Sequence, residues 1–215
     1  MLNTKTILIY IVAIIVSYLF GSIPWSLIIG KTFYNTDIRD FGSGNLGATN
    51  AGRILGKKAF IATAILDVLK AFIVVVAISF IDKDIAAVAG LFASIGHSFP
   101  VYANFRGGKS VATGFGYIIA SSIFITNNFL LQALLPIIIG VVVLLIFKMM
   151  SLASIVALTS ASLISLSQPN KLVSIGIILI SIFSIARHHQ NIQRIINGEE
   201  KKIEFLSRWT TLMSF

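Results

Sequence analysis

The chain alternates between long apolar stretches and short polar segments. Seven stretches approach the length that a helix needs to cross about 30 Å of hydrocarbon. They lie near 7–29, 59–81, 85–98, 111–125, 129–147, 152–168 and 172–187. The stretches 85–98 and 111–125 are shorter than the roughly 17 residues of a spanning helix, so tilted, shortened or re-entrant helices are expected there. The pattern predicts an all-α integral membrane protein with five to seven spans.

The composition supports the same class. Of the 215 residues, 56% are hydrophobic and 12% are charged, and the mean hydropathy is +0.93. Soluble proteins carry about 25% charged residues, so an ordinary water-soluble domain is excluded. We expect one multi-pass membrane domain over 1–215. The chain has no cysteine, which excludes disulfides and thiolate metal sites.

The positive charges predict an orientation, because Lys and Arg accumulate on the cytoplasmic side of a membrane. In a seven-span arrangement, 13 of the 17 basic residues fall on one face and three on the other. Lys70 lies inside a span. The N-terminus is therefore predicted outside and the C-terminus in the cytoplasm. This distribution also explains the net charge of +9 without nucleic acid.

The polar segments on the predicted cytoplasmic side are the candidate functional regions. They read GSGNLGATN at 42–50, GHSFPVYANFRGGK at 96–109 and RHHQNIQRIINGEE at 187–200. The first contains G-x-G-x-x-G, but no strand precedes it, so a dinucleotide fold is not expected. The segment 107–110 is likewise no Walker A sequence. Backbone N–H groups at such glycines and helix N-termini can still bind phosphate or carboxylate. Alternatively, the glycines only permit tight turns and close packing.

Basic side chains in these segments fit the same interpretation. Arg53 and Lys109 could hold a phosphate, Arg by a bidentate fork and Lys as a point charge. Four other lysines are attributed to the cytoplasmic charge bias, namely Lys57, Lys58, Lys201 and Lys202. Asp67 and Lys70 lie three residues apart within a membrane segment. A structural ion pair and a functional role both remain open for them.

Histidine placement favours one functional residue. His188 and Asn191 are three residues apart, so both can face one ligand, whereas His189 points elsewhere. For His97 an interior position that holds a loop is the favoured interpretation. A metal site is not expected, because the chain has no His-x3-His pair and no acidic cluster beside its histidines.

Together the three motifs resemble the bacterial acyl-phosphate:glycerol-3-phosphate acyltransferase family, known as PlsY. The resemblance rests on GSGNLGATN with Arg53, on GHSFPV and FRGGKS, and on RHHQNIQRIINGEE, in this order over about 21–200. Ser110 and Ala71 stand where the family often has glycine.

The resemblance implies a seven-helix enzyme with an external N-terminus, a cytoplasmic C-terminus and an active site facing the cytoplasm of a bacterial cell. It would transfer a fatty acyl group from acyl phosphate to the sn-1 hydroxyl of glycerol 3-phosphate, as the first membrane step of phospholipid synthesis. No cofactor or metal is implied. The implied partners are the two substrates, membrane lipid and a soluble enzyme that makes acyl phosphate.

The resemblance also implies residue roles. Catalytic roles fall on Ser43, Arg53, Lys109, His188 and Asn191. Substrate binding falls on Gly42, Gly44, Asn45, Gly47, Asn50, Gly107, Gly108 and Ser154, and Glu199 is expected to be structural. The group that deprotonates the hydroxyl is either His188 or a substrate phosphate oxygen.

Two other classes remain as alternatives. A small transporter of phosphorylated metabolites would also contain buried charges and glycine-interrupted helices. A lipid-binding scaffold without catalysis is the other. Against a transporter, the sequence shows no repeated pair of interrupted helices, and its polar motifs gather at one face.

The predicted orientation can be tested with single cysteines, since the native chain has none. Cysteines replacing Asn45, Asn104 and Lys201 should react with a membrane-impermeant thiol reagent only from the cytoplasm, and one replacing Lys83 only from outside. Labelling of Asn45→Cys in intact cells would contradict the seven-span orientation.

Overall fold

The protein, described from a computed structural model over residues 3–203, folds as a bundle of α-helices. Residues 3–203 contain no strand. The helices are α1 Thr4–Gly21, α2 Trp25–Tyr34, α3 Ala48–Leu55, α4 Lys57–Ser79, α5 Lys83–Ser98, α6 Val111–Phe124, α7 Leu135–Phe147, α8 Met150–Ser165, α9 Lys171–Ala186 and α10 His189–Ile196. Short 3-10 turns occupy Ile38–Asp40 and Val101–Ala103, and a π-helical turn, Leu130–Leu134, precedes α7.

All seven predicted apolar stretches are helical, but they differ in length. Four helical stretches in the described chain are long and apolar enough to cross a membrane, namely Thr4–Tyr34, Lys57–Ser79, Lys83–Ala103 and Leu130–Phe147. A fifth is reached if α9 is counted with α10, from which it is bent by 59°. Helices α6 and α8 are apolar but shorter. The stretch near 85–98 is longer than the sequence suggested, because the turn after α5 extends it to 21 residues.

Close helix packing depends on residues without bulky side chains. A Cβ on Gly21 would overlap the backbone of Ala93, and one on Gly116 would overlap the carbonyl of Val68. These contacts draw α1 onto α5 and α6 onto α4. Small residues at helix crossings are typical of membrane bundles, where association depends on close van der Waals contact.

The largest fully buried side chain fills the centre of the bundle. Tyr117 is 0% exposed, and its hydroxyl donates to the carbonyl of Val173 at 3.3 Å. Its ring lies where Gly90 of α5 leaves space, and its hydroxyl lies beside Gly176 of α9. Large apolar side chains of α1 and α7, in contrast, are exposed, including Leu8, Val16, Leu145 and Ile146. Such an apolar outer surface suits contact with lipid.

The chain returns repeatedly to one end of the bundle, where its polar segments meet. A small second core beneath the segment 35–47 anchors it there, formed by Leu27, Ile38, Leu46, Ala51 and Ala103. The backbone N–H of Ile203 donates to the carbonyl of Lys148 at 2.8 Å, which ties the C-terminal segment to the turn between α7 and α8. Arg208, one of the predicted cytoplasmic charges, lies outside the described residues.

Candidate active site

The three polar segments enclose one cavity of about 200 Å³. The predicted site residues in its wall are Ser43, Asn45, Gly47, Asn50, Arg53, Gly108, Lys109, Ser154, His188 and Asn191. Gly42, Gly44 and Gly107 do not line it. Residues more than 140 positions apart in the sequence, such as Ser43 and His188, therefore line the same cavity, as the clustering of the polar residues suggested.

In the first segment, Asn50 holds the loop that carries Ser43. Its carboxamide oxygen accepts from the backbone N–H of Ser43 at 2.9 Å and from its hydroxyl at 3.2 Å. Its amide nitrogen donates to the carbonyls of Ile38 and Phe41 at 3.1 and 3.2 Å. Asn50 is only 2% exposed, so its polar group is used mainly to brace the loop. Because its neighbour is a carboxamide and not a base, Ser43 has no evident activation as a nucleophile.

Two glycines of this segment shape the loop from behind the cavity wall. Gly42 and Gly44 have φ angles of +63° and +67°, in the left-handed region that favours glycine. A Cβ on Gly42 would also overlap the carboxamide of Asn50. These φ angles give both residues a conformational role, and the substrate contact expected for them from the sequence stays a prediction.

The second segment forms a turn that packs directly on His97. The N–H of Gly108 donates to the carbonyl of His97 at 3.2 Å. A Cβ on Gly107 would overlap that same carbonyl, and one on Gly108 would overlap the imidazole of His97. Ser110, which precedes α6, has a φ of +56°, and this conformation explains why glycine suits the position in the resembled family. The glycines therefore set how closely the turn approaches His97.

A chain of hydrogen bonds joins the second segment to the third. The ammonium of Lys109 donates to the carboxamide oxygen of Asn191. The amide nitrogen of Asn191 donates in turn to Oε1 of Glu200 at 2.7 Å. Ser151 donates to Oε1 at 2.8 Å, and Nε of Arg194 donates to Oε2 at 2.8 Å. Asn191 therefore fixes the position of Lys109, and Glu200 fixes Asn191.

The structural carboxylate is Glu200, so the expectation for Glu199 was wrong. Glu200 is 7% exposed, whereas Glu199 is exposed to solvent. Burial alone would raise the pKa of Glu200, but hydrogen bonds from Arg194, Asn191 and Ser151 lower it below its ordinary value. The sequence alone does not show which of two adjacent glutamates is buried. The turn at Gly198, with φ +74°, directs the second one inward.

Two positive charges in the cavity wall lack an anionic partner. Arg53 has no hydrogen bond or ion pair within residues 3–203, and Lys109 contacts only the neutral side chain of Asn191. Burial lowers the pKa of Lys109 from 10.5 to about 8; Glu200 opposes this shift, and Arg194, Arg53 and Arg187 favour it. Lys109 is therefore mostly protonated at neutral pH. The cavity presents an uncompensated positive potential that suits an anion.

His188 lies past the end of α9 with its imidazole orientation fixed. Its Nδ1 lies 2.8 Å from the carbonyl of Ser184, which requires Nδ1 to donate and leaves Nε2 with a lone pair. Burial and the charge of Lys109 lower the pKa of His188 to about 4, although the bond to Ser184 opposes the shift. His188 is therefore neutral at pH 7 and can accept a hydrogen bond or proton at Nε2.

Asp67, Lys70 and His97 form a buried group behind the turn at 107–110. Nζ of Lys70 lies 2.9 Å from Oδ1 of Asp67, which confirms the ion pair that the i, i+3 spacing allowed. The same Nζ lies 3.2 Å from Nδ1 of His97. His97 is 5% exposed, as an interior histidine should be, but it also lines the cavity with Asp67.

Several lining residues were not predicted as site residues. They include Thr49, Asp67, His97, Ser151, Gln190, Arg194 and Glu200. Asp67 was visible in the sequence as a charge within an apolar stretch, which is a functional signal in membrane proteins. Ser151 and Arg194 gave no such signal, because their hydrogen bonds to Glu200 in the cavity wall do not follow from sequence spacing. In residues 3–203, no three His, Asp or Glu side chains converge so as to hold a metal ion.

Comparison with known proteins identifies the family. The model of the glycerol-3-phosphate acyltransferase family matches residues 11–198. The chain belongs to this family. Curated relatives named glycerol-3-phosphate acyltransferase include one from Listeria welshimeri, 44% identical over 196 residues, or 89% of this chain and 96% of the relative. One from Staphylococcus aureus is 42% identical over 206 residues, or 91% and 98%.

Solved structures of a family member have the same fold. They are crystal structures of PlsY (YgiH), an integral membrane glycerol 3-phosphate acyltransferase, in its glycerol 3-phosphate and lysophosphatidic acid forms. Their TM-scores to this chain are 0.82 and 0.79, each at 34% identity over 90% of this chain and 95% of that one. The family and the integral membrane architecture expected from the three motifs are thereby confirmed.

The geometry at Glu200 predicts different effects for the two adjacent glutamates. Glu200→Gln weakens three hydrogen bonds to a buried carboxylate and should destabilise the protein by about 1–3 kcal/mol. Glu199→Gln should change stability by less than about 0.5 kcal/mol, because Glu199 is exposed. Thermal unfolding of the purified proteins in detergent measures both. Equal losses would contradict the assignment of the structural role to Glu200.

Proposed function

We propose that this protein transfers a fatty acyl group from acyl phosphate to the sn-1 hydroxyl of glycerol 3-phosphate, releasing lysophosphatidic acid and phosphate. The family membership supports acyl transfer to glycerol 3-phosphate. The observation that carries the site assignment is the pair of cations, Arg53 and Lys109, in one cavity without an anionic partner among residues 3–203. Both substrates bear phosphate groups that would neutralise them.

The composition of the cavity favours acyl phosphate as the donor. An acyl phosphate is a mixed anhydride and is already activated, so no enzyme nucleophile is required. The chain has no cysteine, and the hydroxyl of Ser43 is bonded to Asn50 instead of a base. Catalysis then consists of holding two phosphates close together, relieving their repulsion and stabilising the developing oxyanion. Arg53 and Lys109 have the charge for these tasks.

Two groups can take the proton of the attacking hydroxyl. The neutral His188 offers Nε2, since its Nδ1 is engaged by Ser184. A phosphate oxygen of a substrate is the other candidate, and with it the reaction would need no protein base. Asn191 keeps its predicted role as an orienting group, since it bridges Lys109 and Glu200. Ser154 bonds the carbonyl of Met150 at 2.7 Å and adds a polar atom to the wall.

The proposed setting is a single multi-pass domain with seven spans, in which α6 and α8 cross as shorter helices. The cavity opens at the end of the bundle that carries most of the Lys and Arg, which we assign to the cytoplasmic face of a bacterial cell membrane. There, glycerol 3-phosphate enters from water while the acyl chain stays in lipid. A soluble enzyme that makes acyl phosphate would supply the donor from the same side.

A transporter of phosphorylated metabolites has less in its favour. Transporter sites lie near the bilayer midplane, between discontinuous helices. Here the polar residues gather around helix ends at one end of the bundle. The relatives are named as acyltransferases.

An assay with defined substrates tests the proposal. Purified protein with acyl phosphate and glycerol 3-phosphate should release inorganic phosphate and lysophosphatidic acid in equal amounts. Acyl-CoA and acyl carrier protein should be poor donors. Arg53→Lys is the matched variant, since it keeps the charge but removes the planar fork, and it should lose at least about tenfold in kcat/KM. Comparable turnover with acyl-CoA would contradict the proposed donor.

The lowered pKa of Lys109 predicts a pH dependence. Lys109 loses its charge as pH rises through about 8, so kcat/KM for glycerol 3-phosphate should fall above that pH through a higher KM. In Lys109→Arg the cation persists, and this alkaline fall should disappear even if the maximal rate is lower. If kcat/KM of Lys109→Arg still fell above about pH 8, the titrating group would be a residue other than Lys109.

A further inference from the structure

We propose that His97 is a substrate-binding residue that donates a hydrogen bond from Nε2 to the phosphate held by the turn at 107–110, and that Lys70 and Asp67 lock it in the tautomer that can donate. The inference rests on the proposed function insofar as the ligand is glycerol 3-phosphate. His97 thereby adds a neutral hydrogen-bond donor to the cavity that holds the two cations. The buried ion pair of Asp67 and Lys70 has the function of setting the tautomer of His97.

The position of the imidazole carries the first step. Nε2 of His97 occupies the space that a side chain on Gly108 would need. Both His97 and Gly108 line the cavity, directly beside Lys109. Nε2 has no hydrogen-bond partner among residues 3–203, whereas Nδ1 is engaged. A ring nitrogen at the turn, facing the cavity and without a protein partner, is placed to meet a ligand oxygen.

The identity of the neighbour at Nδ1 fixes the tautomer. Nδ1 lies 3.2 Å from Nζ of Lys70, and an ammonium group has three donors and no acceptor. Nδ1 must therefore present its lone pair, so the proton of the neutral ring is on Nε2. Asp67 holds the ammonium of Lys70 in place by an ion pair of 2.9 Å. Oδ1 of Asp67 is 3.4 Å from Nδ1, so without Lys70 the ring could instead donate to this carboxylate.

The burial of Asp67 and Lys70 is better explained by control of the His97 tautomer than by a gain in stability. Asp67 and Lys70 are 1% and 2% exposed, and an ion pair this deep in an apolar helix contributes little net stability. An imidazole with its lone pair toward a phosphate would repel the anion, while the Nε2–H tautomer attracts it without adding charge. The ion pair thus influences the ligand indirectly, because it sets the tautomer of the His97 ring that would contact the phosphate.

Direct observation of the tautomer is the first test. In 15N spectra of labelled protein, the His97 signals, identified by their loss in His97→Gln, should show the Nε2–H form. Titration with glycerol 3-phosphate should shift the Nε2 resonance. An Nδ1–H tautomer, or no response at Nε2 while the ligand binds, would overturn the proposal.

Two matched double variants test the lock. Asp67→Asn/Lys70→Met and Asp67→Leu/Lys70→Met are both uncharged at these positions, so both avoid an unpaired buried charge. Only the Asn side chain can donate to Nδ1 and restore the Nε2–H form. Calorimetry should give glycerol 3-phosphate affinity within about threefold of native for the Asn variant and at least about tenfold weaker for the Leu variant.

A control variant separates the effect of the buried ion pair from the general loss of a positive charge. Lys58→Met removes a lysine from the exposed part of the same helix and should leave the tautomer unchanged. Equal affinities of the two double variants would overturn the proposal and leave His97 as a packing residue. If the native protein fails to bind glycerol 3-phosphate at all, the proposed function fails, while the 15N spectrum still tests the lock separately.

Discussion

Uncompensated positive charge in a partly buried cavity is the constraint on which the rest of this structure depends. Lys109 is half-buried there, and keeping its charge away from water and from a counter-ion costs free energy, while Arg53 brings a second, more exposed charge to the same wall. In this cavity the carboxylates are committed elsewhere, since Glu200 is bound by Arg194 and Asn191 and Asp67 is paired with Lys70. Arg53 and Lys109 are left for a ligand. Such a cavity is stabilised when a phosphate enters it.

The surrounding architecture holds these cations in place. Asn50 braces the first segment, Asn191 holds Lys109, and the glycines at 107 and 108 lay the intervening turn against His97. The contact between Lys109 and Asn191 joins segments 82 positions apart, whereas the other two contacts are local in the sequence. The apolar helices bring those segments together, and close crossings at Gly21 and Gly116 leave little freedom for rearrangement. Under the proposed function, this fixed arrangement would hold two phosphate-bearing substrates in position to react.

Much of this was predictable from the sequence, because hydrophobic length and the one-sided distribution of Lys and Arg are strong signals. The seven apolar helices and the gathering of three motifs at one cavity followed from them and from the resemblance. The i, i+3 spacing of Asp67 and Lys70 allowed an ion pair, which was one of the two interpretations left open, and the structure contains it.

The sequence could not show which way individual side chains and backbone segments point. It could not show that Glu200 and not Glu199 turns inward, because that depends on the backbone at Gly198. Nor could it show that the backbone has positive φ angles at Gly42 and Gly44. The contact of His97 with Lys70 joins two helices across 27 positions. Such contacts depend on tertiary packing, for which spacing along the chain gives no rule.

The central claim is that Arg53 and Lys109 bind phosphate locally, beyond the general positive charge of this face. Calorimetric titration of purified protein with glycerol 3-phosphate tests it most directly, comparing Lys109→Met and Arg53→Met with Lys58→Met. Each variant removes one positive charge, but Arg53 and Lys109 line the cavity and Lys58 does not. The account predicts at least about tenfold weaker binding for the first two and nearly native affinity for Lys58→Met. Equal weakening in all three would contradict it.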